Sequence, residues 1–201
     1  MKNGIISVLV LIVILLVGFL VWPTSPSQDL PEASVTKLTD SGDAEGIEDG
    51  VMAKEVGDLE LTITGFGPGK VHPGTFDDIT ISDLAVSESG IPVSGTLTIK
   101  SESRSFGIDG LNTHLCAPEF LNCENNPLII FSLTEMTQNS NTEFTANGVL
   151  TFKDTISSIS FPVTKSGEDF SGDFRLNVKD LGVSYIGIDS EIQIQFAGSL
   201  K

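Results

Sequence analysis

From Val51 onward, apolar and polar residues alternate in short runs, the two-residue period of strands that bury one face. The plainest run is Phe170, Gly172, Phe174, Leu176 and Val178, in which every intervening residue is polar. The same period puts Leu59, Leu61 and Ile63 on one face of a strand, and Ile91, Val93, Leu97 and Ile99 on one face of another. Further strands are predicted over Thr75–Val86, Leu128–Met136, Thr142–Lys153, Ile156–Lys165 and Glu191–Leu200. Turn-forming clusters separate them, among them Gly67-Pro68-Gly69, Asn139-Ser140-Asn141 and Ser166-Gly167. About eight strands at hairpin spacing suit an antiparallel sheet, closed into a barrel or folded as a two-layer sandwich, better than a parallel sheet with crossover helices. One stretch, Asp109 to Asn126, breaks the alternation. It carries both cysteines, His114 and the Pro118-Glu119-Phe120-Leu121 start of a predicted short helix, and it is expected to cap one side of the sheet.

The N-terminal pattern is different in kind. Between Gly4 and Trp22 only Ser7 is polar, and a helix of that length rises about 28 Å, close to the hydrocarbon thickness of a bilayer. Lys2 precedes the run and the next basic residue is Lys37, so the N-terminus is expected in the cytoplasm and the rest outside. The run exceeds a signal-peptide core, and no small-x-small site precedes Pro23, which favours an uncleaved anchor. Pro23 to Gly50 mixes prolines, small polar residues and acids without a period; such a stretch reads as a flexible linker spanning about 30 Å. The expected organisation is a transmembrane anchor over 1–22, an acidic linker over 23–50 and one β-domain over 51–201, single-pass in the cell membrane with the domain extracytoplasmic.

Charge removes one class of partner. The chain carries 27 acidic against 11 basic side chains, a net charge of -16, and a formal -11 remains after residue 50, where 20 acids face 9 bases. Nucleic acid would be repelled. Catalytic signatures are missing as well: there is no G-x-S-x-G, H-E-x-x-H or P-loop, and Gly65-Phe66-Gly67-Pro68-Gly69 holds a proline where a phosphate cradle needs an N–H donor. Asp77-Asp78 and Glu168-Asp169 are adjacent carboxylates that a strand points to opposite sides. Neither an enzyme nor a resident cofactor is expected. His114, Cys116 and Cys123, with Glu119 or His72, lack the paired spacings of a metal site. In an exported domain, Cys116 and Cys123 are expected to form a disulfide, with the helix beginning at Pro118 so that the chain folds back. His72, beside Pro73-Gly74, reads as a turn residue.

Several blocks in order resemble the YceI-like, or polyisoprenoid-binding, family. They are Gly69-Lys70-Val71-His72-Pro73-Gly74-Thr75-Phe76, then His114-Leu115 with Glu119-Phe120, and Pro127-Leu128-Ile129-Ile130-Phe131. Gly148-Val149-Leu150-Thr151-Phe152-Lys153-Asp154-Thr155 and Asp180-Leu181-Gly182-Val183 follow. Two positions depart from the family pattern: Leu111-Asn112-Thr113 stands where an Arg-Asp pair commonly precedes His-Leu, and Leu121 replaces a phenylalanine. The resemblance implies an antiparallel, eight-stranded, lipocalin-like barrel around an isoprenoid lipid. Twelve phenylalanines against one tyrosine and one tryptophan suit such a chain, which offers no polar atoms. If the barrel holds, alternation turns Phe131, Leu133, Phe152, Phe161, Phe170, Phe174, Leu176, Val178, Ile194 and Phe196 inward as candidate ligand-lining residues. His114 is the headgroup candidate, and the acidic charge favours a neutral, quinone-like headgroup over a phosphate. A filled barrel shares this pattern, so a structural or adhesive domain without ligand is the alternative.

Overall fold

The alternating runs become strands in the computed structural model, which describes residues 24–38, 52–57, 59–67, 69–183 and 190–201. In chain order these are β1 (Ser34–Lys37), β2 (Met52–Ala53), β3 (Glu60–Gly67), β4 (Lys70–Phe76), β5 (Ile79–Val86) and β6 (Pro92–Lys100). A 3-10 turn at Ser101–Ser103 leads to β7 (Arg104–Ser105) and helix α1 (Asp109–Leu115). The remaining strands are β8 (Leu128–Gln138), β9 (Glu143–Phe152), β10 (Thr155–Ser166), β11 (Asp169–Asn177) and β12 (Glu191–Ser199). All named strand pairs are antiparallel, in the order β2-β5-β6-β8-β9-β10-β11-β12-β3-β4-β7, with β1 pairing β10 outside that path. The sheet curls so that one face encloses the apolar side chains. Rings from neighbouring strands lie over the backbone where glycine is required: a Cβ on Gly148 would overlap the ring of Phe131, and one on Gly172 the ring of Phe196.

Four features depart from the sequence expectation. The run Thr75–Val86 is two strands, because the chain turns at Asp77-Asp78 between β4 and β5. Those two strands are neighbours in the chain but not ladder partners, so the sheet is curled rather than a barrel closed by strand pairing. Loop hydrogen bonds stitch that seam at one end: Asp77 N donates to Ser103 O at 2.9 Å, Asp78 N to Ser103 Oγ at 3.1 Å and Lys100 N to Asp78 O at 3.1 Å.

The third departure concerns the expected linker, part of which belongs to the wall. β10 and β11 pair only from Thr164↔Ser171 to Ser166↔Asp169 and then splay. Pro162, which has no N–H to offer, lies at the divergence. Into the gap runs the segment from Pro31 to Leu38. On one side, Ala33 N donates to Arg175 O, and Arg175 N to Pro31 O, each at 2.8 Å. On the other, β1 pairs with β10 from Ser34↔Ser160 to Lys37↔Ser157. Ala33 is buried with Phe152, Ile159, Phe174, Leu176 and Leu181. The splayed edges carry unpaired backbone groups whose burial would be costly, and the inserted strand satisfies them.

The insert between β7 and β8 folds differently from the expectation too. Its helix precedes Pro118 rather than starting there, with Asp109 in the first turn where a carboxylate favours the helix dipole. After α1 the chain doubles back, Leu121 N donating to Leu115 O at 3.0 Å. A disulfide joins Cys116 to Cys123 with Cα atoms 5.0 Å apart. Arg104 holds the insert to β7 through Nε to Asn112 O at 2.5 Å and Nη1 to Ser101 O at 3.2 Å. No helix among the described residues is long and apolar enough to cross a membrane, and the run from Gly4 to Trp22 lies outside them.

Candidate functional site

The inward faces of the curled sheet and the inner side of the insert enclose a cavity of about 570 Å³. All ten apolar positions expected inward from alternation line it. Phe161 stands at the centre of an aromatic group, stacked on Phe174 at 4.9 Å between ring centroids, tilted to Phe131 at 5.3 Å and edge-on to Phe196 at 6.0 Å. The lining continues through residues that the expectation left out: Leu61 and Ile63 of β3, beside Phe196 and Ile194, Leu97 and Ile99 of β6, Phe76 of β4, and Leu111, Leu115 and Leu121 of the insert. Their alternation was visible in β3 and β6, but facing a shared cavity depends on how the sheet curls.

Few polar groups reach this space. Among the described lining residues the charged or hydrogen-bonding side chains are Lys70, His72, Thr96, Lys179 and Ser190, and none is a carboxylate. Pairing brings most of them to one end. Gly65 lies opposite His72, and Gly67 opposite Lys70, in the β3–β4 hairpin. β12 runs beside β3 with Gln193↔Thr64, so Val178 and Ser190, which hydrogen-bond at 2.8 Å across the β11–β12 connection, fall at that same end. Of the described lining residues only Lys70 and Lys179 are exposed, which locates the place where the cavity meets solvent. A Cβ added to Gly65 or Gly67 would meet nothing within 4 Å, so the mouth is roomy.

His72 is therefore a residue of β4 that faces the cavity, and not a turn residue. β4 tolerates Pro73 and Gly74 because beyond β3 it has a second partner only at Thr75 and Phe76. His114, the headgroup candidate, does not line the cavity; its ring packs edge-on against Phe120 at 4.8 Å. The sulfurs of Cys116 and Cys123 cluster with Glu102, yet as a disulfide they supply no thiolate to a metal.

A family model for the YceI-like domain matches residues 52–200. The chain belongs to the YceI-like family. Solved structures share the fold of this YceI-like domain at low identity. BcnA of Burkholderia cenocepacia superposes with a TM-score of 0.63 at 16% identity, covering 71% of this chain and 96% of that one. The Campylobacter jejuni YCEI protein gives 0.56 at 17%, covering 64% and 84%. A polyisoprenoid binding domain from Saccharophagus degradans gives 0.55 at 9%, covering 74% and 96%. No curated protein sequence matches the chain. The inserted strand β1 lies before the first residue of the YceI-like match.

Proposed function

We propose that this YceI-like domain holds a long apolar lipid of the isoprenoid type, and that it binds, sequesters or carries that lipid without catalysis at the outer face of the membrane. The observation that carries the reading is the cavity itself, walled by aliphatic and phenylalanine side chains and supplied with polar groups mainly at one open end. Such a space suits a ligand with an extended hydrocarbon tail and a small polar head. The relative from Saccharophagus degradans is described as a polyisoprenoid binding domain, which agrees with this chemistry.

Burying the tail from water is favourable by about 0.8 kcal/mol per methylene, so a bound lipid does not escape into solution. Taken from a bilayer, the same tail exchanges one apolar surrounding for another at little net gain. Loading and release are then both accessible, as a carrier requires. At the mouth, Lys70, His72 and Lys179 offer N–H donors to an electron-rich oxygen. A quinone carbonyl accepts such bonds without bringing a charge into the domain's acidic field, and this keeps the quinone-like headgroup as the favoured one.

Organic extraction of the full chain purified from its native membrane, followed by mass spectrometry, tests the reading. A co-purifying prenyl lipid is expected. Repeated absence of lipid, with no uptake when prenyl quinones are supplied, would leave a structural or adhesive domain. Competition between a quinone and a polyprenyl phosphate of equal tail length then decides the headgroup, since the tail contribution cancels.

A further inference from the structure

The residue that pins the cavity mouth sits two positions after the apolar N-terminal run. Thr24 lies at the tip of the β3–β4 hairpin, its N–H donating to Gly67 O at 3.4 Å and its Oγ1 lying 2.7 Å from Gly67 O and 2.6 Å from Lys70 O. From there the chain stays on the domain. Pro26 is buried, and Arg175 Nε donates to Leu30 O at 3.0 Å before the segment enters the sheet as β1. The last residue of the apolar run is Trp22, and two residues of extended chain span at most about 7 Å. A free linker over 23–50 would instead have allowed about 30 Å of travel.

We propose that the β3–β4 mouth is docked on the membrane surface, lashed there by the segment that starts at Thr24, so that lipid passes directly between bilayer and cavity. The run Gly4–Trp22 is the membrane end of the lash. The surface around the mouth fits an interface with lipid. Lys70 and Lys179 are exposed at the opening, where ammonium groups meet anionic headgroups. Val71 is 51% exposed on the outward face of the same hairpin. An acidic domain as a whole is repelled by anionic lipid, so the lash and the local lysines select which end faces the bilayer. A cargo that never crosses water needs no soluble carrier state, and the lipid's head can stay at headgroup level while its tail enters.

Part of this rests on the lipid-binding reading, namely the cargo; the docking does not, and one experiment separates them. The full chain is reconstituted in bilayers of phosphatidylcholine and phosphatidylglycerol carrying a headgroup-level nitroxide quencher. A bimane probe is attached either at Val71→Cys or at Ser140→Cys, the latter in the β8–β9 turn at the opposite end of the sheet. Docking predicts strong quenching at position 71 and little at 140. A long Gly/Ser insertion between Trp22 and Pro23 should reduce the signal at 71 to that at 140. Equal quenching at both positions in the unmodified chain, or asymmetry that survives the insertion, would overturn the lashed geometry. Quenching at 71 in protein that carries and takes up no prenyl lipid would uphold the docking and sink the lipid-binding reading instead.

Discussion

Replacing Arg175 by alanine should loosen the inserted N-terminal strand and lower the stability of the whole domain. The guanidinium side chain is only 12% exposed, and it fastens the segment to β11 and β12 at once. It donates through Nη1 to Glu191 Oε1 at 2.8 Å and Gln28 Oε1 at 2.9 Å, and through Nε to Leu30 O at 3.0 Å. The contact with Glu32 at 3.4 Å involves a carboxylate 48% exposed and adds little in water. Glu191, at 19% exposed, is the partner that matters, because truncation removes the Arg175 cation from a carboxylate that is largely desolvated. With charged hydrogen bonds each contributing about 1.5–3 kcal/mol and some solvent screening, the net loss should be about 2–4 kcal/mol. Urea unfolding of the domain beginning at Thr24 reads this directly. For a slope of about 2 kcal/mol per molar, the midpoint should fall by about 1–2 M. Hydrogen exchange at Ala33 N, whose partner is Arg175 O, should accelerate in parallel. Arg175→Lys should recover part of the effect, since an ammonium keeps the charge but not the fork. An unchanged midpoint with undiminished protection at Ala33 would refute the view that this arginine closes the wall.

Other consequences are open to simple assays. Removing the Cys116–Cys123 bridge by a double serine replacement should cost about 2 kcal/mol, and peptide mapping without reduction should recover the two half-cystines joined; two native thiols would refute the staple. His72→Ala should weaken prenyl-quinone binding about fivefold in a fluorescence titration through loss of about 1 kcal/mol, whereas His114→Ala should leave it unchanged; the reverse order would relocate the headgroup to the insert. A chain cut between Leu38 and Val51 should keep residues 24–38 bound through gel filtration, because β1 is paired with β10 and Ala33 is buried; separation of the pieces would contradict the inserted strand.

What the sequence revealed follows the range of the interactions involved. The run through Phe170, Phe174 and Leu176 reads as a strand from local alternation alone, and β11 forms there. The inward positions of β8 to β12 follow from the same period once a curled sheet is granted. β1 was illegible for the opposite reason. Ala33 and Val35 are too short an alternation to stand out, and only the distant gap between β10 and β11 makes that stretch a strand. The His72-Pro73-Gly74 turn reading failed because turn residues also suit a weakly paired strand, and Gly74 is required where the ring of Phe106 would overlap a Cβ. The helix was misplaced because Pro118 is a strong start signal, while the chain around it is shaped by the disulfide and by Arg104. The mouth was invisible for a topological reason: Lys70 and Lys179 are far apart in sequence and come to the same end of the cavity only because β3 and β12 are neighbours.

Whether the lipid sits inside the sheet can be read from the lipid content of a protein whose cavity is blocked. Leu97 lines the cavity from β6, and Leu97→Trp adds bulk into open space rather than into a filled core. The full chain and this variant would be purified identically from native membranes, their folds compared by circular dichroism and thermal melting, and their lipids quantified by native mass spectrometry. A stoichiometric prenyl lipid is expected in the unmodified chain, and its loss from an equally folded variant. Equal lipid in both would place the ligand outside the cavity and overturn a lipid site within the sheet.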